Sequence, residues 1–182
     1  MSSSTSWEHR GERVPERLRV AAELVGPRPG LRVLEVGCGS GALTDALCRG
    51  GATVVAIDRS PTAVERARHR NAAHLSAGYV QVHAVALADL EWTGAPFDVV
   101  VGVDVNAFWT GSAEREVRRV CELLAPDGRV VLVHAPPPGS GAHSGTHRAA
   151  WLVPTALGAG GLAAEVREVG DLLCITARRR AA

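Results

Sequence analysis

One segment constrains the fold of this chain more than any other: a short apolar strand that runs into a glycine-rich turn and then a helix. The strand covers 31–36, the turn is Gly37-Cys38-Gly39-Ser40-Gly41, and a helix is predicted over 42–49. Glycines let a ligand approach the backbone closely, and the helix N-terminus offers unpaired N–H groups and partial positive charge. Asp58 follows at the end of a second strand, where a carboxylate can accept both hydroxyls of a ribose. This arrangement predicts nucleoside binding.

Strands and helices alternate along the rest of the chain. Apolar spacing predicts helices at 12–25, 42–49, from Pro61 to about His74, after Ser112 and within 148–159, and strands at 31–36, 53–57, 79–85, 97–103, 129–134, 163–169 and 172–178. Ser60 can cap the third helix, and Pro61 suits its first position. Only Gly170-Asp171 separates the last two strands, so they must be antiparallel. The order predicts a doubly wound α/β fold. Its seven-stranded sheet is mostly parallel, with a C-terminal β-hairpin and helices on both faces.

Composition narrows the functional classes. The chain has 182 residues, and all 20 of its basic residues are arginine. Without lysine there can be no Schiff base to pyridoxal phosphate and no Walker-type phosphate loop. The net charge of +1 gives no reason to expect a nucleic-acid or membrane partner. The four cysteines form no C-x-x-C pair, which indicates reduced thiols in a cytoplasmic protein.

The chain divides into a flexible N-terminal segment at 1–11, one domain at 12–178 and a frayed C-terminus at 179–182. The glycine turn leaves two nucleoside-binding classes open for that domain. Gly37, Gly39 and Ala42 satisfy G-x-G-x-x-A, the pattern of nicotinamide and flavin dinucleotide sites. A dinucleotide enzyme would usually need a second domain for its substrate, and few residues remain outside the predicted sheet to build one.

The pattern Glu35-x-Gly37-x-Gly39-x-Gly41, followed by an acid at the end of the second strand, resembles the class I S-adenosylmethionine (SAM)-dependent methyltransferases, which have a Rossmann-like domain. The segments 58–61, 97–100 and 123–129 resemble later motifs of that family. The resemblance implies a SAM-dependent methyltransferase that releases S-adenosylhomocysteine (SAH). It further implies a set of cofactor-binding residues: Glu35, Gly37, Cys38, Gly39, Gly41, Asp58, Arg59, Ala86, Leu87 and Val103.

Within that set, Glu35 and the turn would hold the methionine part, Asp58 the ribose, and Arg59 would lie beside the adenine. One position departs from the family. An acidic residue often follows the third strand there, where this chain has Ala86 and Leu87, with Asp89 slightly later. Either Asp89 or backbone groups would then meet the adenine amino group.

The methyl acceptor should approach the carboxyl ends of the fourth and fifth strands. We expect Asp104 and His134 to be catalytic, Asp104 orienting an amine or alcohol and His134 acting as a base. Asn106, Phe108 and Trp109 are the candidate substrate-binding residues. Each has a plainer interpretation: a solvated strand end for Asp104 and His134, and ordinary packing for the two aromatics.

Several observations bear on the acceptor. His143 and His147 have metal-ligand spacing, but the surrounding glycines and prolines indicate a loop, so 135–147 is expected to be a mobile lid and no metal is expected. The [ND]-P-P-[YF] motif of amino-methylases is absent after the fourth strand, which favours a small-molecule acceptor with an O, N or S nucleophile. The alternatives are a SAM- or nucleoside-binding accessory protein without transferase activity and a dinucleotide-dependent oxidoreductase. The oligomeric state stays open, with a homodimer as one option.

Overall fold

The computed structural model describes residues 14–108, 113–135 and 148–180. The seven strands are β1 (Arg32–Val36), β2 (Thr53–Asp58), β3 (Val80–Ala84), β4 (Phe97–Val103), β5 (Leu124–His134), β6 (Leu162–Val169) and β7 (Leu172–Arg179). The helices are α1 (Glu16–Val25), α2 (Ala42–Arg49), α3 (Pro61–Arg70), α4 (Ala72–Ser76), α5 (Glu114–Leu123) and α6 (Arg148–Ala159). Short 3₁₀ turns at Leu87–Asp89 and Asn106–Phe108 follow β3 and β4. Among these described residues, no helix is long and apolar enough to cross a membrane.

The strands form one sheet in the order β3-β2-β1-β4-β5-β7-β6. Strands β1 to β5 are parallel, and β7 runs antiparallel to both β5 and β6. The predicted doubly wound sheet with its C-terminal hairpin is therefore confirmed. The order reverses between β1 and β4, so the carboxyl ends of these two strands form the crevice where sheets of this kind bind ligands.

Helices cover the sheet on both faces because the side chains of each strand alternate between two cores. On β1, Val33 faces the core under α1, α2 and α3, whereas Leu34 faces the core under α5 and α6. Parallel strands that are buried on both faces are continuous apolar runs, and 99–101 and 130–133 are of this kind.

Most helix and strand boundaries lie close to those predicted from the sequence, and a few differ. The Ser60 side chain caps α3 by accepting from Ala63 N at 3.3 Å, with Pro61 in the first turn, as predicted. The single helix predicted from Pro61 to about His74 is interrupted at Asn71, which lies between α3 and α4. The predicted cap Ser112 lies outside the described residues.

The chain ends are only partly described. The segment expected to be flexible, 1–11, lies outside the described residues. At the C-terminus, β7 extends to Arg179 and the N–H of Arg180 donates to Gly161 O at 3.3 Å. Residues 181–182 lie outside the described residues, and the expected fraying at 179–182 stays a prediction.

Candidate functional site

The turn between β1 and α2 is fixed to the end of β2. The N–H groups of Gly37 and Cys38 both donate to the carbonyl of Ile57, at 2.8 and 3.0 Å. Gly37, Gly39 and Gly41 all have positive φ, between 53° and 75°. L-residues other than glycine adopt that conformation only with strain, so the sequence of the turn follows from its backbone path.

The three glycines differ in what surrounds them. A Cβ on Gly41 would lie 2.5 Å from Asn71 Nδ2, and one on Gly37 would lie 2.9 Å from a Val105 methyl. A Cβ on Gly39 would have no neighbour within 4 Å. Gly37 and Gly41 are therefore glycines because the protein packs closely against them. Gly39 instead leaves its backbone open to an approaching ligand.

Asp58 lies at the end of β2, beside the open side of the turn. Its carboxylate accepts from Gly39 N at 3.0 Å through one oxygen and from Ser60 N at 2.9 Å through the other. The side chain is half-buried, and Arg59 next to it is exposed. Each carboxylate oxygen can accept more than one hydrogen bond, so Asp58 is held in place and still able to bind a pair of hydroxyls.

Glu35 is not at the open surface where its expected role would put it. It is 3% exposed, and its carboxyl accepts from Thr44 Oγ1 of α2 at 2.5 Å. Burial raises the pKa of Glu35 to about 8, and the nearby Asp58 charge adds to this, whereas the Thr44 hydrogen bond opposes it. Glu35 is therefore mostly protonated at neutral pH and braces α2 against β1.

The Cys38 side chain turns into the core below α1, α2 and α3. Burial raises the pKa of this thiol to about 12, with the charges of Glu35 and Asp58 adding to the effect. Cys38 is a neutral thiol and not a nucleophile. It can meet a ligand only through its backbone.

Asn71 is a site residue that the sequence did not predict. This residue is fully buried, and its Nδ2 donates to Gly41 O at 3.0 Å and to Ala67 O at 2.9 Å. It thereby joins the glycine turn to the end of α3. The only signal in the sequence is a residue of low helix propensity in the middle of an otherwise helical segment, and that signal indicates a helix break and not a partner.

The residues after β3 have divided roles. Leu87 is 4% exposed and packs in the core under α5, so only its backbone could contact a ligand at the sheet edge. Ala86 beside it is half-buried. Asp89 forms an ion pair with Arg115 of α5 at 2.9 Å, and both side chains are exposed. Val103 at the end of β4 packs partly against the core under α1.

The two expected catalytic residues lie at neighbouring strand ends but face opposite sides of the sheet. Asp104 has a φ of 54°, and its carboxylate binds the N–H of Ala135 at 2.8 Å and Arg17 of α1 at 2.9 Å. His134 is 1% exposed and alternates with Val133, which faces the core under α1, so its ring faces the α6 side. Asp104 therefore links α1, β4 and β5, and the two side chains do not converge.

The other acceptor-side residues are only partly described. Phe108 is 1% exposed and packs in the core, which favours its plainer interpretation. Asn106 begins the 3₁₀ turn after β4. Trp109, His143, His147 and the expected lid beyond Ala135 lie outside the described residues.

A recess of about 690 Å³ lies along the free edge of β3, away from the glycine turn. It is lined by residues that include Arg68, His83, Asp89 and Trp92. It touches the end of β3 through Ala84 and Val85 but includes neither Gly39 nor Asp58. The candidate site is instead the crevice at the carboxyl ends of β1 and β4, because the hydrogen bonds of Asp58 and the glycine turn lie there. The volume of a recess does not by itself show which ligand it binds.

Known proteins resemble this chain in sequence and in fold. The model of a family described as a methyltransferase domain matches residues 33–128. A ubiquinone biosynthesis O-methyltransferase from Chelativorans sp. is 36% identical over 103 residues, which are 56% of this chain and 39% of that protein. The chain thus matches well under half of that relative's length.

Two solved structures share the fold. A TehB-like SAM-dependent methyltransferase from Corynebacterium glutamicum has a TM-score of 0.69 at 18% identity, covering 93% of this chain and 90% of that one. The [4+2]-cyclase SpnF has a TM-score of 0.74 at 16% identity, covering 97% and 86%. At these identities the likeness establishes the fold alone.

Proposed function

The chain belongs to the methyltransferase domain family, and from that premise we propose that it transfers a methyl group from SAM to a small-molecule acceptor. The observation that carries the proposal is the Asp58 carboxylate, held by the N–H groups of Gly39 and Ser60 beside the open side of the glycine turn. A fixed carboxylate next to exposed backbone and a helix N-terminus suits a ligand that has a ribose and a polar tail.

The described residues fit SAM. Asp58 would hold the ribose hydroxyls, and the turn from Gly37 to Gly41 would hold the methionine part through its backbone. The exposed Arg59 and the backbone of Ala86 and Leu87 would flank the adenine, and Val103 would line the methionine part. Glu35 would act indirectly, by bracing α2. When bound, SAM supplies a sulfonium methyl group that an aligned nucleophile can displace.

An oxygen nucleophile is the first acceptor class to test, because the sequence relative is named an O-methyltransferase. The acceptor would approach the ends of β4 and β5, near Asn106, Phe108 and Trp109. Asp104 would position this edge by holding Arg17 and the N–H of Ala135. His134 remains the proposed base.

The acceptor side is tested with Asp104→Ala and His134→Ala, with Asp127→Ala at an exposed position of β5 as the control. We expect both site variants to lower turnover and to leave SAH affinity within about threefold, since neither residue belongs to the proposed cofactor-binding set. Because His134 is buried, its variant is first checked for folding by circular dichroism. Loss of SAH binding in both folded variants, or full turnover in both, would place the acceptor elsewhere.

A second function is worth testing because a [4+2]-cyclase has the same fold. In that case the chain would bind SAM or a nucleoside without transferring a methyl group. The deciding experiment incubates the protein with methyl-labelled SAM and a panel of small phenols, amines and thiols, and measures label in the acceptor together with SAH release. Transfer that Asp58→Ala abolishes supports the methyltransferase. SAH binding without transfer to any class supports the second function, and NAD binding without SAH binding would contradict both.

A reducing, cytoplasmic location fits the same proposal. All four cysteines, at 38, 48, 121 and 174, are free thiols. Expression of the chain with a fluorescent fusion would test the location directly.

A further inference from the structure

Strand β6 is an edge strand that leaves apolar side chains exposed. Within the described part of the chain it pairs only with β7. The large hydrophobic side chains exposed in that part are Tyr79, Trp151, Val166 and Val169, and the last three belong to β6 or to α6, which packs on it. On β6 itself, Val166 is 42% and Val169 is 39% exposed, beside backbone groups that no other described strand pairs.

Val166 is the exposed apolar side chain of the free edge on the face that α6 covers. It alternates in phase with Leu162 and Ala164, which pack in the core under α6. Trp151 points away from the sheet, because it lies about 200° around α6 from Val153, which is buried in that core. Val166 is therefore the side chain that an added strand would meet on this face.

The backbone of β6 offers a defined set of free groups. Arg180 N donates to Gly161 O just beyond the β6–β7 ladder, so the odd-numbered positions of β6 exchange hydrogen bonds with β7. The even-numbered positions, Ala164, Val166 and Glu168, then direct their N–H and C=O groups outward. Any added strand must pair with these positions.

We propose that two copies of this chain form a two-fold dimer by antiparallel pairing of their β6 edges, with Val166 opposite Val166 of the second copy. In that register Ala164 and Glu168 exchange backbone hydrogen bonds across the axis, giving about six interchain bonds with the central pair. The sheet then continues through both copies. The Val166 side chains of the two copies meet at the axis, as an isologous interface requires.

Charge selects this register. Glu165 and Arg167 lie on the face opposite α6, 3.6 Å apart within one chain. With Val166 on the axis, Glu165 lies opposite Arg167 of the second copy, and Val169 lies opposite Ala163. The neighbouring registers that the backbone allows put Glu165 opposite Glu165 or Arg167 opposite Arg167. Like charges directly opposite each other destabilise a strand pair, so only one register satisfies charge, backbone and apolar contacts together.

The interface leaves the carboxyl ends of β1 and β4 open, because β5 and β7 lie between them and β6. Dimerisation does not rest on the proposed function. The test is sedimentation equilibrium of the full chain, with the single variants Glu165→Arg and Arg167→Glu and their equimolar mixture. Glu91→Arg, near the free edge of β3, is the matched control.

We expect the wild-type chain to be a dimer and the control variant Glu91→Arg to dimerise with the same affinity. Each single variant should raise the dimer Kd by about tenfold or more, because like charges then face each other twice across the axis. The mixture should recover the dimer, since both cross-axis pairs then join an arginine of one variant to a glutamate of the other, although neither chain keeps its internal ion pair. Circular dichroism establishes that both variants fold. A monomeric wild type, single variants that dimerise as wild type does, or a mixture without recovery would each overturn the proposal.

Discussion

At the scale of single residues, Asp58 is the most direct test of the cofactor site. Its carboxylate should make two charge-assisted hydrogen bonds to a ribose, each worth about 1.5–3 kcal/mol. Asp58→Ala should therefore weaken SAH binding at least about tenfold, because about 1.4 kcal/mol corresponds to one decade. Isothermal titration calorimetry measures the affinity.

Asp98 offers a matched control for that substitution. Its carboxylate also accepts a backbone N–H, from Arg32 at 2.8 Å, but at the opposite end of the parallel strands. Asp98→Ala should cost the fold about as much and leave SAH affinity unchanged. Equal affinities for the two variants would show that Asp58 is not the ribose acceptor.

Glu35 should make stability depend on pH. Its pKa rises from 4.5 to about 8 in the folded protein, so between these values the folded state holds a proton that the unfolded state has lost. Stability from this group is complete below pH 4.5 and declines by about 1.4 kcal/mol per pH unit up to the folded pKa. Urea unfolding from about pH 5 to about pH 8 should show that decline, and Glu35→Gln should flatten it.

The exposed Glu65 on α3 is the control for this measurement. Glu65→Gln should leave the pH profile of the wild type intact. A wild-type profile that rises with pH, or an unchanged slope in Glu35→Gln, would contradict the assignment.

At the scale of elements, the glycine turn contains one glycine that close packing requires, Gly41, and one that leaves space for a ligand, Gly39. Gly39 and Gly41 share a positive φ, so alanine strains both, but only the Gly41 Cβ would meet Asn71 Nδ2 at 2.5 Å and Ala67 Cα at 2.9 Å. Gly41→Ala should therefore cost about 1–3 kcal/mol more stability than Gly39→Ala, as overpacking does. Gly39→Val should abolish measurable SAH binding in a protein that still folds. Thermal unfolding and calorimetry distinguish these effects, and equal stabilities for the two alanine variants would contradict the packing argument.

At the scale of the whole molecule, Arg129 ties the first helix to the fifth strand. Its guanidinium donates to Leu24 O at 3.3 Å and to Val25 O at 2.7 Å, so it satisfies carbonyls at the end of α1. Burial lowers the pKa of Arg129, which nonetheless stays charged at neutral pH. Arg129→Met should cost about 1–3 kcal/mol in urea unfolding, since it removes charged donors from half-buried carbonyls.

Arg118 on the exposed face of α5 is the control, and Arg118→Met should change stability by less than about 0.5 kcal/mol. If both methionine variants unfold at the same urea concentration, the contact between Arg129 and α1 contributes nothing to the fold.

The sequence by itself determined what depends on neighbours along the chain. Apolar periodicity, the Ser60 cap and the glycine turn are local, so they predicted the elements, the doubly wound sheet and the strand end that carries Asp58. Contacts between distant segments decided the rest. The role of Asn71 could not be predicted because the carbonyl that it binds, that of Gly41, lies 30 residues earlier in the chain.

Only the fold turned Glu35 toward Thr44 and Asp104 toward Arg17, and only the fold buried His134 on the other side of the sheet. A pattern in the sequence can assign a residue to a strand end, because backbone periodicity is a property of the chain itself. It cannot assign the direction or the partner of the side chain there, because both depend on which helices pack against each face of the sheet.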